Sequence, residues 1–331
     1  MSPAPQATGL AIETHGLSKR FGKQLAVDGV DVAVPAGSVF GFLGPNGSGK
    51  TTTIRMLLGL ATASSGSIKM LGQDMPACWQ TVLPRVGALV EGPGFYPFLS
   101  GAANLIRLDS ADRHASPASR ADRVEQALYR VGLGHAAGKK VRAYSLGMKQ
   151  RLGIANALLS PRELLILDEP TNGLDPQGTR EVRTLVRSLT AGGSTVFVSS
   201  HLLAEIEQIC THAAVLSQGR LVAQGTINEL RGVGGRRLLL HTPDGDAAHR
   251  VLERLGLRPQ SQKAADPGAE RGGTMIASVI SSVISADSPD LDVIVAELVH
   301  SGIRVRSFTE EHSSLEDRFV ALTGEGFDSA R

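Results

Sequence analysis

Residues 44 to 51 read Gly44-Pro45-Asn46-Gly47-Ser48-Gly49-Lys50-Thr51, a full match to the spacing G-x-x-x-x-G-K-[ST]. Together these residue types suit one task, holding a chain of phosphates. Glycines let consecutive backbone N–H groups curve around the anion, and a helix N-terminus behind them adds positive potential. Lys50 contributes a point charge and Thr51 a hydroxyl for Mg2+, with Thr52 adjoining them. Such a turn needs a strand before it and a helix after it. Val39–Leu43 is apolar, and Ile54, Leu57 and Leu58 then recur at helical spacing.

A second constellation is Leu164-Leu165-Ile166-Leu167-Asp168-Glu169, an apolar strand that delivers two carboxylates at its C-terminal end. That is where α/β sheets place their ligands. Asp168 is suited to the Mg2+ shell, and Glu169 to accepting a proton from an attacking water. A solvated acidic turn would not need four consecutive apolar residues leading into it.

Kinases and GTPases share the phosphate cradle, so the cradle alone leaves the function open. The stretch Tyr144-Ser145-Leu146-Gly147-Met148-Lys149-Gln150-Arg151 narrows it. It resembles the signature of the ATP-binding-cassette (ABC) ATPases, roughly Leu-Ser-Gly-Gly-Gln, which opens a helix shortly before the acidic strand. Leu146 and Met148 replace the usual second-glycine and glutamine positions. Ser145 and the Gly147 backbone remain, and the resemblance gives them the γ-phosphate. Gly173-Leu174-Asp175-Pro176 resembles the family's D-loop, and His201, after the strand Thr195–Ser200, its switch histidine. Phe21 stands where the family has an aromatic that stacks on adenine. Read singly, Ser145 is a helix N-cap, His201 a structural histidine and Phe21 a core side chain. Their occurrence in one order over about residues 10–230 carries the resemblance.

What the resemblance implies is an ATPase that uses ATP and Mg2+. Lys50, Glu169 and His201 are then its catalytic residues. Its cassettes form a head-to-tail homodimer in which Ser145 of one protomer faces the phosphate loop of the other. Within the family, Glu91 followed by Gly92-Pro93-Gly94-Phe95-Tyr96-Pro97 resembles the bacterial bacitracin, lantibiotic and multidrug exporter ATPases, where most ABC ATPases carry glutamine. Glu91 is accordingly expected beside the nucleotide and in the metal shell with Thr51 and Asp168. Phe95, Tyr96 and Phe98 read either as core aromatics or as a docking surface. Ser314–Thr323 resembles the closing segment of drug-exporter subunits, and its physical pattern is an amphipathic helix with Leu315, Phe319 and Leu322 on one face.

Positioning these groups requires a specific order of elements. Ala11–Gly41 has the alternation of an antiparallel opening sheet; 101–140 is helix-like; Leu164–Leu167 and Thr195–Val198 are short buried strands, each followed by a turn and a helix. A hairpin turned at Gln218–Gly219 closes the region. The expected fold is α/β: a P-loop NTPase of ABC-ATPase type with a parallel-sheet core, an antiparallel N-terminal β subdomain and a helical subdomain, followed by a small C-terminal α+β domain. Residues 1–9 form a flexible N-terminus, 10–231 the ATPase domain (helical subdomain about 92–160) and 236–331 an accessory domain, linked by the Gly-rich 232–235. In the accessory domain a strand over Arg237–His241, helices over Ala247–Leu255 and Leu291–Val299, and a strand over Ile303–Phe308 are expected.

At 331 residues and 34.7 kDa, with 42% hydrophobic and 20% charged residues, the chain buries ordinary cores, which excludes a disulfide-stapled miniprotein. A net charge of +2, with 12 Lys/Arg against 15 Asp/Glu in residues 231–331, leaves no basic tail for nucleic acid. Two distant cysteines and an N-terminus lacking a signal-peptide pattern point to a reducing cytosol. No run approaches the roughly 20 apolar residues of a membrane span. Transport would therefore need a separate integral-membrane permease, with this chain peripheral on the inner face of the cell membrane. Export of a drug or antibiotic-like compound is the leading reading; a soluble or importer-type ABC ATPase is the alternative.

Overall fold

A computed structural model describes residues 9–90, 94–112, 115–231, 236–265, 276–284 and 288–311; Glu91, the 232–235 linker and the expected terminal helix lie outside the described residues. The chain divides into two compact units, with the boundary between Ile227 and Asn228.

The first unit opens with β1 (Leu10–Phe21), β2 (Gln24–Val30), β3 (Ala33–Pro35) and β4 (Val39–Leu43), then α1 (Lys50–Leu57). Next come β5 (Ser65–Met70), β6 (Gln73–Met75), the single turn α2 (Trp79–Val82) and β7 (Val86–Leu89). Three helices follow, α3 (Gly101–Ala111), α4 (Arg120–Arg130) and α5 (Leu146–Ala157). The unit continues through β8 (Leu164–Leu167), α6 (Pro176–Ala191), β9 (Thr195–Ser200), α7 (Leu203–Ile209), β10 (His212–Ser217) and β11 (Arg220–Thr226).

Two sheets result. β1 is the spine of an antiparallel sheet ordered β2-β1-β5-β6, with β3 also paired to β1. The larger sheet is ordered β11-β10-β4-β9-β8-β7; β10, β4, β9, β8 and β7 run parallel, and β11 returns antiparallel through the Gln218–Gly219 turn. Every residue of β4, β8 and β9 is buried, the pattern of central parallel strands covered on both faces. Phe197 of β9 stacks on Phe40 of β4, ring centroids 5.8 Å apart, and lies 5.1 Å from Phe42, which locks these neighbouring strands in register. Val86–Leu89 forms the edge strand β7, paired parallel with β8.

The second unit begins within α8 (Ile227–Arg231) and continues through β12 (Arg236–Thr242), α9 (Gly245–Arg254), β13 (Gln260–Ala265), β14 (Ile276–Ile284), α10 (Leu291–His300) and β15 (Ser307–Glu311). This β-α-β-β-α-β order, with strands arranged β13-β14-β12-β15 and all neighbours antiparallel, is the ferredoxin-like arrangement. It has its own core, in which Leu238, Leu240 and Ile280 from the strands meet Val251, Leu252, Ile294 and Leu298 from the helices. The expected strand over Ile303–Phe308 is corrected: Ile303 enters the core from the turn before the strand, and pairing with β12 begins only at Ser307. β13 was not anticipated, because Gln-Ser-Gln-Lys carries no apolar alternation.

Candidate nucleotide site

The loop after β4, the loop after β8 and the loop after β9 leave three adjacent parallel strands at the same end. β9 lies between the other two, with Leu43 opposite Ser200 and Leu167 opposite Val198. Groups far apart in sequence therefore converge.

Lys50, at the start of α1, is buried and points back into its own loop, donating to the carbonyls of Gly44 at 2.6 Å and Pro45 at 3.2 Å. Its Nζ is 3.4 Å from Glu169 Oε1. Burial is the strongest influence on its pKa and pulls it below the ordinary lysine range, opposed by Glu169 and Asp168. Thr51 Oγ1 donates to Asp168 Oδ2 at 3.0 Å. Asp168 Oδ1 accepts in turn from Ser199 Oγ, and Ser199 Oγ accepts from the Glu169 backbone N–H at 2.8 Å. His201 Nδ1 is 2.8 Å from Glu169 Oε2; a carboxylate only accepts, so Nδ1 is the donor. Glu169 itself has φ +47°, a left-handed conformation uncommon outside glycine, which persists only where the surroundings fix it.

The loop fits a polyphosphate and the oxygens beside it fit Mg2+. Gly49 has φ +99°, and a Cβ there would meet the Ala26 carbonyl oxygen at 2.6 Å, so the cradle keeps its shape only with glycine. Ser48 Oγ, inside the loop, is buried with no hydrogen-bond partner among the described residues. The Thr51 hydroxyl and Asp168 carboxylate supply the hard oxygen donors that Mg2+ prefers. Asn46 and Gly47 form the exposed crest of the loop, and Thr52 lies half-buried in the first turn of α1.

The other sequence candidates lie elsewhere on the first unit. Ser145 is exposed and caps α5, accepting from the Met148 N–H at 3.2 Å, and Asp175 caps α6, accepting from the Gly178 N–H at 2.8 Å. The two caps adjoin: Leu146 Cδ2 would sit 2.8 Å from a Cβ added at Gly173, where φ is +72°. Leu146 is exposed, Gly147 and Met148 are half-buried, and Gln150 has a buried amide oxygen without a partner among the described residues. Phe21, at the end of β1, is 52% exposed, so the core reading is excluded; Lys19 Nζ lies 4.9 Å from its ring centroid. Tyr96 and Phe98 are likewise exposed.

Sequence reasoning did not single out Ser199, Ser200, Thr171 or Glu205. The available signal was the pair of serines closing the apolar run Thr195–Val198, since hydroxyls at the C-terminal end of a buried strand must find partners.

Comparison with known proteins places the site in context. Residues 27–172 match the family model described as ABC transporter. The chain is 39% identical over 316 residues to the bacitracin transport ATP-binding protein BcrA of Bacillus licheniformis, covering 95% of this chain and 98% of that protein. It is 37% identical over 325 residues to the daunorubicin/doxorubicin resistance ATP-binding protein DrrA of Streptomyces peucetius, covering 96% and 94% respectively. A solved structure described as the ATP binding subunit of an ABC transporter aligns with TM-score 0.60 and 29% identity over 67% of this chain and 92% of that one.

Proposed function

Because the chain belongs to the ABC transporter ATP-binding proteins, we propose that it powers export of a drug or antibiotic-like compound through a separate integral-membrane permease. The family's subunits hydrolyse ATP in step with transport, work with membrane permeases and dimerise. No described helix is long and apolar enough to cross a membrane. Export is favoured over import by the relatives whose names specify bacitracin transport and daunorubicin resistance.

One observation carries the mechanism: Lys50, Asp168, Glu169 and His201 meet at the ends of three neighbouring strands. In this reading the loop N–H groups and Lys50 hold the β- and γ-phosphates of ATP, and Phe21 stacks on the base. Thr51, Asp168 and Glu91 would hold Mg2+, which supplies charge neutralisation when bound. Glu169 accepts the proton of the attacking water while His201 fixes the orientation of its carboxylate. Ser145, Leu146, Gly147, Met148 and Gln150 present the signature surface, with Asp175 beside it, to the ATP of a second protomer. The protein's contribution is positioning and charge, because phosphoryl transfer needs little covalent chemistry from it. Attachment to the cytoplasmic face of the membrane would follow from the permease, with no nucleic acid involved.

The test is reconstitution of the full chain with its permease in vesicles, measuring ATP hydrolysis and efflux of bacitracin-like peptides and anthracyclines together. Uptake in place of efflux, or hydrolysis unaffected by the permease, would overturn the exporter reading.

A further inference from the structure

Two polar bridges connect the loop after β8 to the end of β9 and the helix beyond it. One is Ser199, described above. The other is made by Glu205, on α7 four residues beyond His201 and buried to 8% exposure. Its Oε2 accepts from Thr171 Oγ1 at 2.6 Å and from Ser200 Oγ at 3.0 Å. Thr171 and Ser200 are buried as well. Ser200 Oγ also accepts from the Leu202 N–H at 2.9 Å, so both chain neighbours of His201 belong to this bridge. Thr171 stands two residues after Glu169.

We propose that Glu205 is a positioning residue for hydrolysis: its buried carboxylate, held by Thr171 and Ser200, keeps Glu169 and His201 in contact. The inference rests on the reading of Glu169 as the base, and deepens it. A carboxylate seldom lies in such a place without a task, because its burial is tolerated only when hydrogen-bonded. Here the bonds reach across to the loop that holds Glu169 at φ +47°, a conformation that needs support from outside its own loop. Without the bridge, Ser199 would hold the Asp168 side of the loop while the segment beyond Glu169 could swing away from His201. Nucleotide binding, which rests on the loop after β4, would be untouched.

The experiment uses the full-length chain with Mg2+ and ATP, comparing wild type with Glu205→Ala, Glu205→Gln, Thr171→Val and, as a control on the underlying reading, Glu169→Gln. Steady-state kcat and KM, equilibrium affinity for a fluorescent ATP analogue and thermal midpoint are measured for each. Glu205→Ala and Thr171→Val should lower kcat by about 10- to 100-fold, the scale of a misplacement near 1 Å, with affinity within about 2-fold of wild type. Glu205→Gln, whose amide oxygen can still accept both bonds, should recover most of the rate. Wild-type kcat in Thr171→Val and Glu205→Ala overturns the proposal. So does a fall in kcat that is matched by losses of affinity and thermal midpoint and is not recovered by Glu205→Gln, the outcome of a purely structural role. If Glu205→Ala does not fold, Thr171→Val, nearly the same in shape, decides alone. Turnover by Glu169→Gln near the wild-type rate would instead remove the base on which the proposal rests.

Discussion

Replacing Gly49 with alanine should abolish useful nucleotide affinity through backbone geometry alone, without removing a single functional group. At φ +99° an L-residue pays a conformational cost of about 1–3 kcal/mol. The new Cβ would also approach the Ala26 carbonyl oxygen to 2.6 Å, and that neighbour is backbone that cannot rotate away. Overpacking of this kind adds about 1–3 kcal/mol. The sum, about 2–6 kcal/mol, is relieved only if the loop leaves its phosphate-ready shape. Apparent affinity falls by the fraction of molecules that leave, at tenfold per about 1.4 kcal/mol, hence by roughly 30-fold or more. Gly47→Ala is the internal control. Its φ is +81°, yet a Cβ there has nothing within 4 Å, so only the conformational cost of about 1–3 kcal/mol applies. Equilibrium binding of a fluorescent ATP analogue with Mg2+ should rank wild type, Gly47→Ala and Gly49→Ala in that order, with all three cooperatively folded. Equal losses in the two variants would refute the close approach to Ala26 as the determinant, and no loss in either would refute the cradle.

Lys50→Ala should abolish productive ATP binding, because the phosphates lose their point charge; unchanged binding of labelled ATP would dismiss that role. Glu169→Gln should bind ATP but hydrolyse it about 10²–10⁴-fold more slowly, so the dimer fraction on gel filtration with ATP rises above wild type. In the C-terminal unit, side-chain hydrogen bonds from Arg304, reinforced by its backbone N–H, hold Asp244 down at about 2. The folded value lies below the unfolded one of about 3.9, so this contribution is complete above that pH and is lost as pH falls toward 2. Acid titration followed by circular dichroism should show Arg304→Met unfolding that unit at higher pH than wild type; coincident curves would dismiss the linkage. Removing residues 236–331 should leave nucleotide binding intact, since every candidate site residue precedes that segment, and a folded truncation unable to bind ATP would contradict this.

The parts of the molecule legible from sequence are those in which local pattern and three-dimensional role coincide. Leu164–Leu167 is apolar because both its faces are covered, and it ends in acids because its end faces the site. The Gly44–Thr51 spacing is a backbone geometry written directly in residue types. Long-range partnerships are different. Glu205 reads as one more charge on a short helix until the fold brings Thr171 to it, and Phe21 reads as core until β1 is seen to end at the surface. In the C-terminal unit the polar strand β13 is recruited by its pairing with β14, and no periodicity announces that.

The insertion of β9 between β4 and β8 also sets an order of events during synthesis. Val39 pairs with Val196, and Leu164 with Thr195, so the strand that joins the phosphate loop to the acidic loop is the last of the three to leave the ribosome. Pairings this remote in sequence form late, after the intervening segments have collapsed. A nascent chain that already carries Lys50 and even Glu169 has neither its histidine nor the strand that brings the two loops together. In the proposed mechanism the newborn polypeptide is thus unable to spend ATP until His201 has been made, and a product ending before residue 195 would be inert rather than wasteful.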